Sequence, residues 1–312
     1  MKDLRVIFFG TPEFVLPVVK FLHEQEELLG VVTQPDKPKG RGLEVSPSPV
    51  KKWALNQGLR VWEPTKLKDP HFWEELKALS LDLIVVFAYG KILPKELLEI
   101  PQGGCWNIHL SLLPKYRGAS PVQWALLEGE RETGVTIMLM DEGMDTGPIL
   151  LQRAIPIEEE DTTPTLLEKL SHLAVTTLGE ALELYKKGEL KAKPQPERGV
   201  SYAPLLKKED GFINFEEPAL RIENKLRAFT PWPGVYTKFR GKILKIHEAK
   251  AQPLSIKKKP GEILKLSPEG ILVATSDGAL LLKTLQLEGK KRISAYEFAH
   301  GQRLKPGDLL TS

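Results

Sequence analysis

The apolar positions in the first half of the chain fall into short continuous runs, separated by stretches with helical spacing. Leu4 to Gly10 is a β-branched and aromatic run that stops at Gly10-Thr11-Pro12, after which Phe14, Val18, Val19 and Leu22 recur at three- and four-residue steps. That order reads as strand, turn, helix. Leu29 to Thr33 predicts a second strand, Pro49 to Gln57 a helix and Arg60 to Trp62 a short strand. His71 to Leu79 then predicts a helix ahead of two further strands, Leu83 to Phe87 and Cys105 to Leu110. Apolar strands alternating with amphipathic helices predict an α/β domain whose parallel sheet is covered on both faces. Sites in such sheets form at the carboxyl ends of strands.

The pattern changes in the second half. Asp161-Thr162 ahead of Pro164 is a helix start, with Thr162 or Thr163 as the cap. From there Leu166, Leu167, Leu170, Leu173, Ala174, Leu178, Leu182 and Tyr185 predict one long amphipathic helix closing the first domain. Gly188 to Pro204, with Pro194, Pro196 and Gly199 among polar residues, reads as a linker. Ala219 to Phe229 predicts a helix. Short runs at Val235 to Phe239, Ile243 to His247, Gly261 to Leu264, Ile271 to Thr275 and Ala279 to Leu285 then predict a small β domain of the barrel kind. The expected division is 1–188, a linker over 189–206, and a second domain over 207–312.

Composition narrows the class. With 312 residues, 41% apolar and 27% charged, the chain has the make-up of an ordinary globular protein of two domains. Its single cysteine, Cys105, excludes an internal disulfide and a multi-cysteine metal site, and points to a reducing, cytoplasmic setting. No apolar run approaches the roughly 18 residues of a membrane span. The amino terminus lacks signal-peptide form, because Leu4 to Phe9 runs straight into Gly10-Thr11-Pro12-Glu13. The net charge of +3 is unevenly spread: Lys207 to Ser312 holds 20 Lys/Arg against 12 Asp/Glu, a net of +8, which leaves −5 on the remainder. A basic module joined to a slightly acidic one suits a protein that holds a polyanion at one end.

The candidate chemistry lies in Asn107-Ile108-His109-Leu110-Ser111-Leu112-Leu113-Pro114 and in Gly143-Met144-Asp145-Thr146-Gly147-Pro148. Residues two apart on a strand share a face, so Asn107 and His109 point the same way. An amide donor for a developing oxyanion beside a ring that moves protons near neutral pH suits attack on a carbonyl carbon. No G-x-G-x-x-G follows the first strand, and Pro12 lacks an amide hydrogen, so neither a nicotinamide nor a flavin cofactor is expected. His23, His71, His172, His247 and His300 show no metal-ligand spacing, and no catalytic metal is expected.

These blocks, together with Phe9 to Phe14, Thr33-Gln34-Pro35-Asp36 through Gly40-Arg41-Gly42, Ser46 to Val50, Ala88-Tyr89-Gly90, Arg117-Gly118-Ala119, Gly134 to Met138 and Ala228 to Gly234, resemble the folate-dependent formyltransferase family over nearly the whole chain. The resemblance implies a Rossmann-like parallel-sheet formyltransferase domain followed by an OB-like barrel. It implies transfer of the formyl group of 10-formyltetrahydrofolate, a co-substrate, to the free amine of methionyl initiator tRNA. By the same likeness Asn107 would hold the carbonyl oxygen, His109 would stabilise that charge or carry the proton, and Asp145 would orient the ring. Ser111, Leu112, Leu113 and Pro114 would contact the folate, with Phe87, Ala88, Tyr89, Met140 and Asp141 supplying a slot for the pterin. Lys37, Lys39 and above all Arg41 would meet the acceptor end of tRNA. Arg117 would contact substrate or brace the site against a carboxylate. A monomer is the working expectation. Two alternatives stay open on the sequence: the same donor with a sugar amine, a purine precursor or water as acceptor, and an RNA-binding protein whose first domain has become a scaffold.

Overall fold

The computed structural model describes residues 3–39, 44–254 and 258–310, with 37–39, 44 and 45 described in their backbone alone. Arg41 therefore lies outside the described residues, as do the side chains of Lys37 and Lys39. The chain divides into two compact units, one of Met1–Pro121, Glu132–Pro156 and Leu167–Pro204, the other of Val122–Arg131, Ile157–Leu166 and Leu205–Ser312.

The first unit follows the strand and helix alternation of its sequence. Its elements begin with β1 (Arg5–Gly10), α1 (Leu16–Gln25), β2 (Glu27–Val32), a short antiparallel pair β3 (Lys37–Lys39) and β4 (Glu44–Ser46), α2 (Pro49–Asn56), β5 (Arg60–Trp62) and α3 (Pro70–Lys77). They continue with β6 (Leu83–Phe87), α4 (Lys95–Leu98), β7 (Cys105–His109), α5 (Pro121–Leu127), β8 (Glu132–Leu139), β9 (Ile149–Pro156) and α6 (Thr163–Lys186), of which α5 and α6 contribute residues to both units. Two helices start where a capping side chain precedes proline. Ser48 accepts from the Lys51 amide ahead of α2, and Asp69 from the His71 amide ahead of α3.

One seven-stranded sheet runs β5-β2-β1-β6-β7-β8-β9. The first five of these strands are parallel to one another, whereas β7 with β8 and β8 with β9 are antiparallel, so the sheet is mixed and not parallel throughout. Antiparallel neighbours need no crossover helix. The chain can therefore pass from β8 to β9 through the short loop that carries Asp145.

Alternation along the central strands builds a core on each face. Ile7, Phe9, Ile84 and Val86 pack in one cluster with Phe72 and Leu76 of α3, Leu97 of α4 and Cys105 of β7. On the opposite side Trp106, 1% exposed, meets Tyr185 of α6 edge to face at 5.3 Å. Burial on both faces explains the unbroken apolar runs of β1 and β6.

The segment after α6 lies along the first unit. Lys193 and Ile149 exchange backbone hydrogen bonds of 2.8 Å, which covers β9 at the edge of the sheet, and Arg117 bridges to Tyr202. Composition gives this stretch a linker's look, but Lys193, Ser201 and Ala203 hydrogen-bond their backbones to Ile149, Pro114 and Arg117.

In the second unit α7 (Ala219–Phe229) precedes β10 (Val235–Phe239), β11 (Lys242–Gln252), β12 (Ile263–Ser267), β13 (Gly270–Ala274), β14 (Ala279–Leu287), β15 (Ile293–Ser294) and α8 (Ala295–Gly301). The sheet is antiparallel in the order β10-β11-β14-β13-β12, with β15 on β14. Register shifts around Glu248 mark an irregularity in β11. Thr163 does not use its hydroxyl as a cap; it donates to the Ala228 carbonyl at 2.6 Å, and Arg227 donates to the carbonyls of Asp161 and Glu158 at 2.8 Å each. These bonds tie 157–166 into the second unit. Among the described residues no helix is long and apolar enough to cross a membrane.

Candidate active site

The carboxyl end of β7 sets two side chains side by side. Asn107 and His109 leave the strand on one face, as the two-residue period requires, and the antiparallel partner β8 sets Met138 and Thr136 opposite them. The loop between β8 and β9 then brings Asp145 to both. Asn107 Nδ2 donates to Asp145 Oδ1 at 3.3 Å, and His109 Nδ1 stands 3.6 Å from Asp145 Oδ2. The second distance is too long for a hydrogen bond. Asp145 Oδ2 accepts instead from the backbone amide of Gly118 at 2.8 Å.

The imidazole is held from both sides. Its Nε2 lies 2.8 Å from the Tyr116 carbonyl, which can only accept, so Nε2 carries a hydrogen and Nδ1 is the nitrogen turned to the carboxylate. His109 is 5% exposed and the Asp145 side chain 15%, so their interaction is only weakly screened by water. The second amide hydrogen of Asn107 has no partner among the described residues. It is available to an oxygen that enters the site.

Two loops depend on close backbone approach. A Cβ on Gly147 would stand 1.9 Å from the Leu139 carbonyl, and one on Gly118, where φ is +122°, would stand 2.7 Å from the Ala203 carbonyl. Asp145 itself adopts φ of 53°, a left-handed conformation uncommon for a residue with a side chain.

A cavity of about 530 Å³ opens beside the amino end of β7 and the start of the β8–β9 loop, walled by Lys95, Leu98 and Glu99, by Gly104 and Cys105, and by the stretch 139–143. Cys105 belongs to the same row of β7 as Asn107, roughly 7 Å along the strand. Of the residues expected to make the pterin slot, Met140 and Asp141 line this cavity. Asp141 also braces its own loop, accepting from the Gly143 amide and the Thr146 hydroxyl at 3.0 and 2.7 Å.

The other expected folate residues sit elsewhere. Phe87 and Tyr89 turn their rings into the core, edge to face with Phe14 at 5.4 Å and with Phe9 at 5.2 Å. Ala88 and Gly90 are exposed there. Burial raises the Tyr89 phenol to about 12, and the Cys105 thiol is likewise pushed up by burial. The Ser111 hydroxyl, fully buried, donates to the Lys115 carbonyl at 2.6 Å, and Leu113 is 3% exposed. Leu112 approaches Gly134 and, like Pro114, is half-buried. The Ser111 hydroxyl and the backbone of Leu112, whose carbonyl accepts from the Lys115 amide at 3.1 Å, brace the loop that leads to Tyr116 and Gly118.

Among the described residues Arg117 meets no carboxylate; its Nε and Nη2 donate to Gln195 Oε1 at 3.1 and 2.7 Å. Gln195, the α4 residues Lys95 and Leu98, and Glu99 just after them were not singled out by sequence. A four-residue helix is too short to show a period, and one polar residue in a Pro-rich stretch carries no signal. Among the described residues there is no group of three or more His, Cys, Asp or Glu side chains that could hold a metal ion.

Comparison with known proteins follows this geometry. The formyl transferase family model matches residues 4–182, and the model of the formyl transferase C-terminal domain matches 205–303. A methionyl-tRNA formyltransferase of Myxococcus xanthus is 48% identical over 307 residues, covering 98% of each chain. One from Caldanaerobacter subterraneus is 46% identical over 309 residues, covering 98% of this chain and all of that one. Among solved structures, the sugar 3N-formyl transferase WlaRD, crystallised with dTDP and 5-N-formyl-THF, has a TM-score of 0.67 at 19% identity, over 93% of this chain and 100% of its own. HypX from Aquifex aeolicus in complex with tetrahydrofolic acid has a TM-score of 0.64 at 21% identity over 96% of this chain, which spans 47% of HypX. Those two likenesses establish a shared fold. The near-complete coverage at 46–48% identity establishes more: the chain belongs to the methionyl-tRNA formyltransferase family.

Proposed function

We propose that the protein transfers the formyl group of 10-formyltetrahydrofolate to the α-amine of methionyl initiator tRNA, giving the N-formylmethionyl-tRNA used to start translation. The observation that carries this reading is the meeting of Asn107, His109 and Asp145 within 3.3 and 3.6 Å, beside a cavity walled by Met140 and Asp141. The new bond joins the amine nitrogen to the formyl carbon, the bond from that carbon to the folate nitrogen breaks, and the amine's proton passes to the departing nitrogen. Asn107 donates its second amide hydrogen to the formyl oxygen as that oxygen becomes negative, an effect of a few kcal/mol for one well-placed donor. His109 stabilises the same charge or conveys the proton, and Asp145 orients both side chains.

The cavity suits the folate head group. Leu98, Cys105, Leu139 and Met140 give it apolar walls, and the loop over 140–143 gives it backbone polar groups, the usual make-up of a small-ligand pocket. The positive balance of 207–312 supports phosphate contacts by that part of the chain, an OB-like barrel in this reading, with residues 1–188 doing the chemistry and 189–206 connecting them. Lys37, Lys39 and Arg41 meet the acceptor end. The protein works as a monomer in the cytoplasm.

The deciding assay supplies purified protein with 10-formyltetrahydrofolate and charged initiator tRNA. Formyl-methionyl-tRNA should accumulate, and alanine at Asn107, His109 or Asp145 should lower kcat by roughly a hundredfold or more while the melting curve stays cooperative. Formylation of a sugar amine with none of tRNA would replace the acceptor; full activity in all three variants would remove the mechanism.

A further inference from the structure

We infer that Gln195 is a positioning residue for the transfer, fixing Asp145 from the segment that leaves the first unit; the inference rests on the function proposed above. In the stretch 191–199 every other residue is exposed, and Gln195 alone is half-buried. All the hydrogen-bonding capacity of its amide is engaged. Nε2 donates to the carbonyls of Asp145 and Gly147 at 2.7 and 2.8 Å, and Oε1 accepts from Nε and Nη2 of Arg117 at 3.1 and 2.7 Å.

Asp145 needs such a hold. Its φ of 53° is left-handed, a region that Asp enters more readily than most residues with a Cβ but still at an energetic cost, which bonds that hold the loop there offset. The two carbonyls gripped by Gln195 straddle Thr146, so one side chain fixes the course of the loop from Asp145 to Gly147. The other end of the amide reaches the same aspartate by a second route. Arg117 is pinned by backbone bonds to Ser201 and Ala203, at 2.9 and 2.7 Å, and its neighbour Gly118 donates to Asp145 Oδ2 at 2.8 Å. Gln195 thus secures the backbone of Asp145 directly and its carboxylate through Arg117 and Gly118. The hydroxyl of Ser201 adds a parallel tie, accepting from the Tyr116 amide at 2.9 Å, and the carbonyl of Tyr116 is the one that holds His109.

Only an amide fits this place. Glutamate keeps the volume and would strengthen the Arg117 contact, but it sets a carboxylate against two carbonyl oxygens and has no hydrogen to offer them. Methionine keeps the volume and loses both ends. Positional error near 1 Å in a catalytic group lowers rates by roughly a hundredfold, which sets the scale expected for Gln195→Glu.

The experiment measures kcat and both KM values for the full chain, for Gln195→Glu and for Gln195→Met, with thermal melts of each. Both variants should lose kcat by roughly ten- to a hundredfold, with the KM values for folate and tRNA within about twofold of wild type. Both variants should still melt cooperatively and well above the assay temperature, so that the chain is folded while the rates are measured and lost stability cannot account for the lost rate. A double-mutant cycle supplies the readout that a merely structural role would not move. In single-turnover formylation on an Asp145→Asn background, adding Gln195→Glu should change the rate by less than about twofold, since the group through which it acts is already disabled. Wild-type kcat in Gln195→Glu, a loss confined to KM, or losses that multiply in the cycle would each overturn the positioning role while leaving the proposed function in place. A wild-type chain that formylates nothing removes that function and the positioning role with it.

Discussion

The hydroxyl of Thr136 offers a sharp test of how the site is held. Thr136 lies in β8 directly opposite His109, is fully buried, and joins β8, β9 and the loop after β7 through one oxygen. That oxygen donates to the Ser111 carbonyl at 2.7 Å and accepts from the Leu113 amide at 3.2 Å and from Gln152 Nε2 at 2.8 Å. Thr136→Val keeps the shape, so no cavity forms and the loss is polar. Gln152 retains the Leu113 carbonyl at 2.9 Å, but the buried Leu113 amide and the Ser111 carbonyl lose their partner. Each buried group left unpaired costs about 1–3 kcal/mol, so the two give about 2–6 kcal/mol. For a unit of this size that is a fall in Tm of about 4–24 °C. Urea titration followed by tryptophan fluorescence should show a lower midpoint at an unchanged slope. Thr136→Ser, which keeps the hydroxyl and drops a methyl, should lose only about 1 kcal/mol. If the valine variant loses less than about 0.5 kcal/mol, or serine proves worse than valine, the oxygen does not hold the loop.

Three further outcomes follow from the geometry. Leu98→Trp, filling the cavity beside β7, should raise KM for the formyl donor roughly tenfold, equivalent to about 1.4 kcal/mol, with KM for tRNA unchanged; an unchanged donor KM would move the folate out of that cavity. Cys105, 1% exposed and raised in pKa by its burial, should react with iodoacetamide at pH 8 roughly a hundredfold more slowly in the folded chain than in urea, and equal rates would contradict the buried wall. His247 is held below its ordinary value of 6.5, first by burial and then by the charges of Arg292 and Lys245, against the raising effect of its bond to Gln286. With the folded value the lower one, the unfolded chain takes the proton first as pH falls. Stability is therefore whole above 6.5 and lost as pH drops below it, and His247→Gln should flatten that part of the urea midpoint against pH; a slope that persists would assign it to other groups.

Much of the fold was written in local pattern. The run Leu83 to Phe87 and the helix Ala219 to Phe229 stand where their periodicity set them, because continuous burial on two faces and a 3.6-residue stripe leave direct traces in sequence. The common face of Asn107 and His109 followed from the two-residue period alone. Other parts had no such trace. The antiparallel pairing of β8 with β7 depends on which strand edge is free, and no single segment encodes that. The rings of Phe87 and Tyr89 belong to the core because Phe14 and Phe9, far away in the chain, offer them edges.

Sequence by itself determined the class of fold, the strand that bears the amide and the imidazole, and, through its likeness to a family, the reaction. Tertiary structure decided how those groups are held. Asp145 stands 38 residues beyond Asn107, in a left-handed backbone conformation, gripped by a glutamine another 50 residues on. Local periodicity reports only how a residue meets its own element. A carbonyl accepting from a distant amide leaves no mark on the order of apolar and polar positions, so the support of the site became visible only once the chain had folded back on itself.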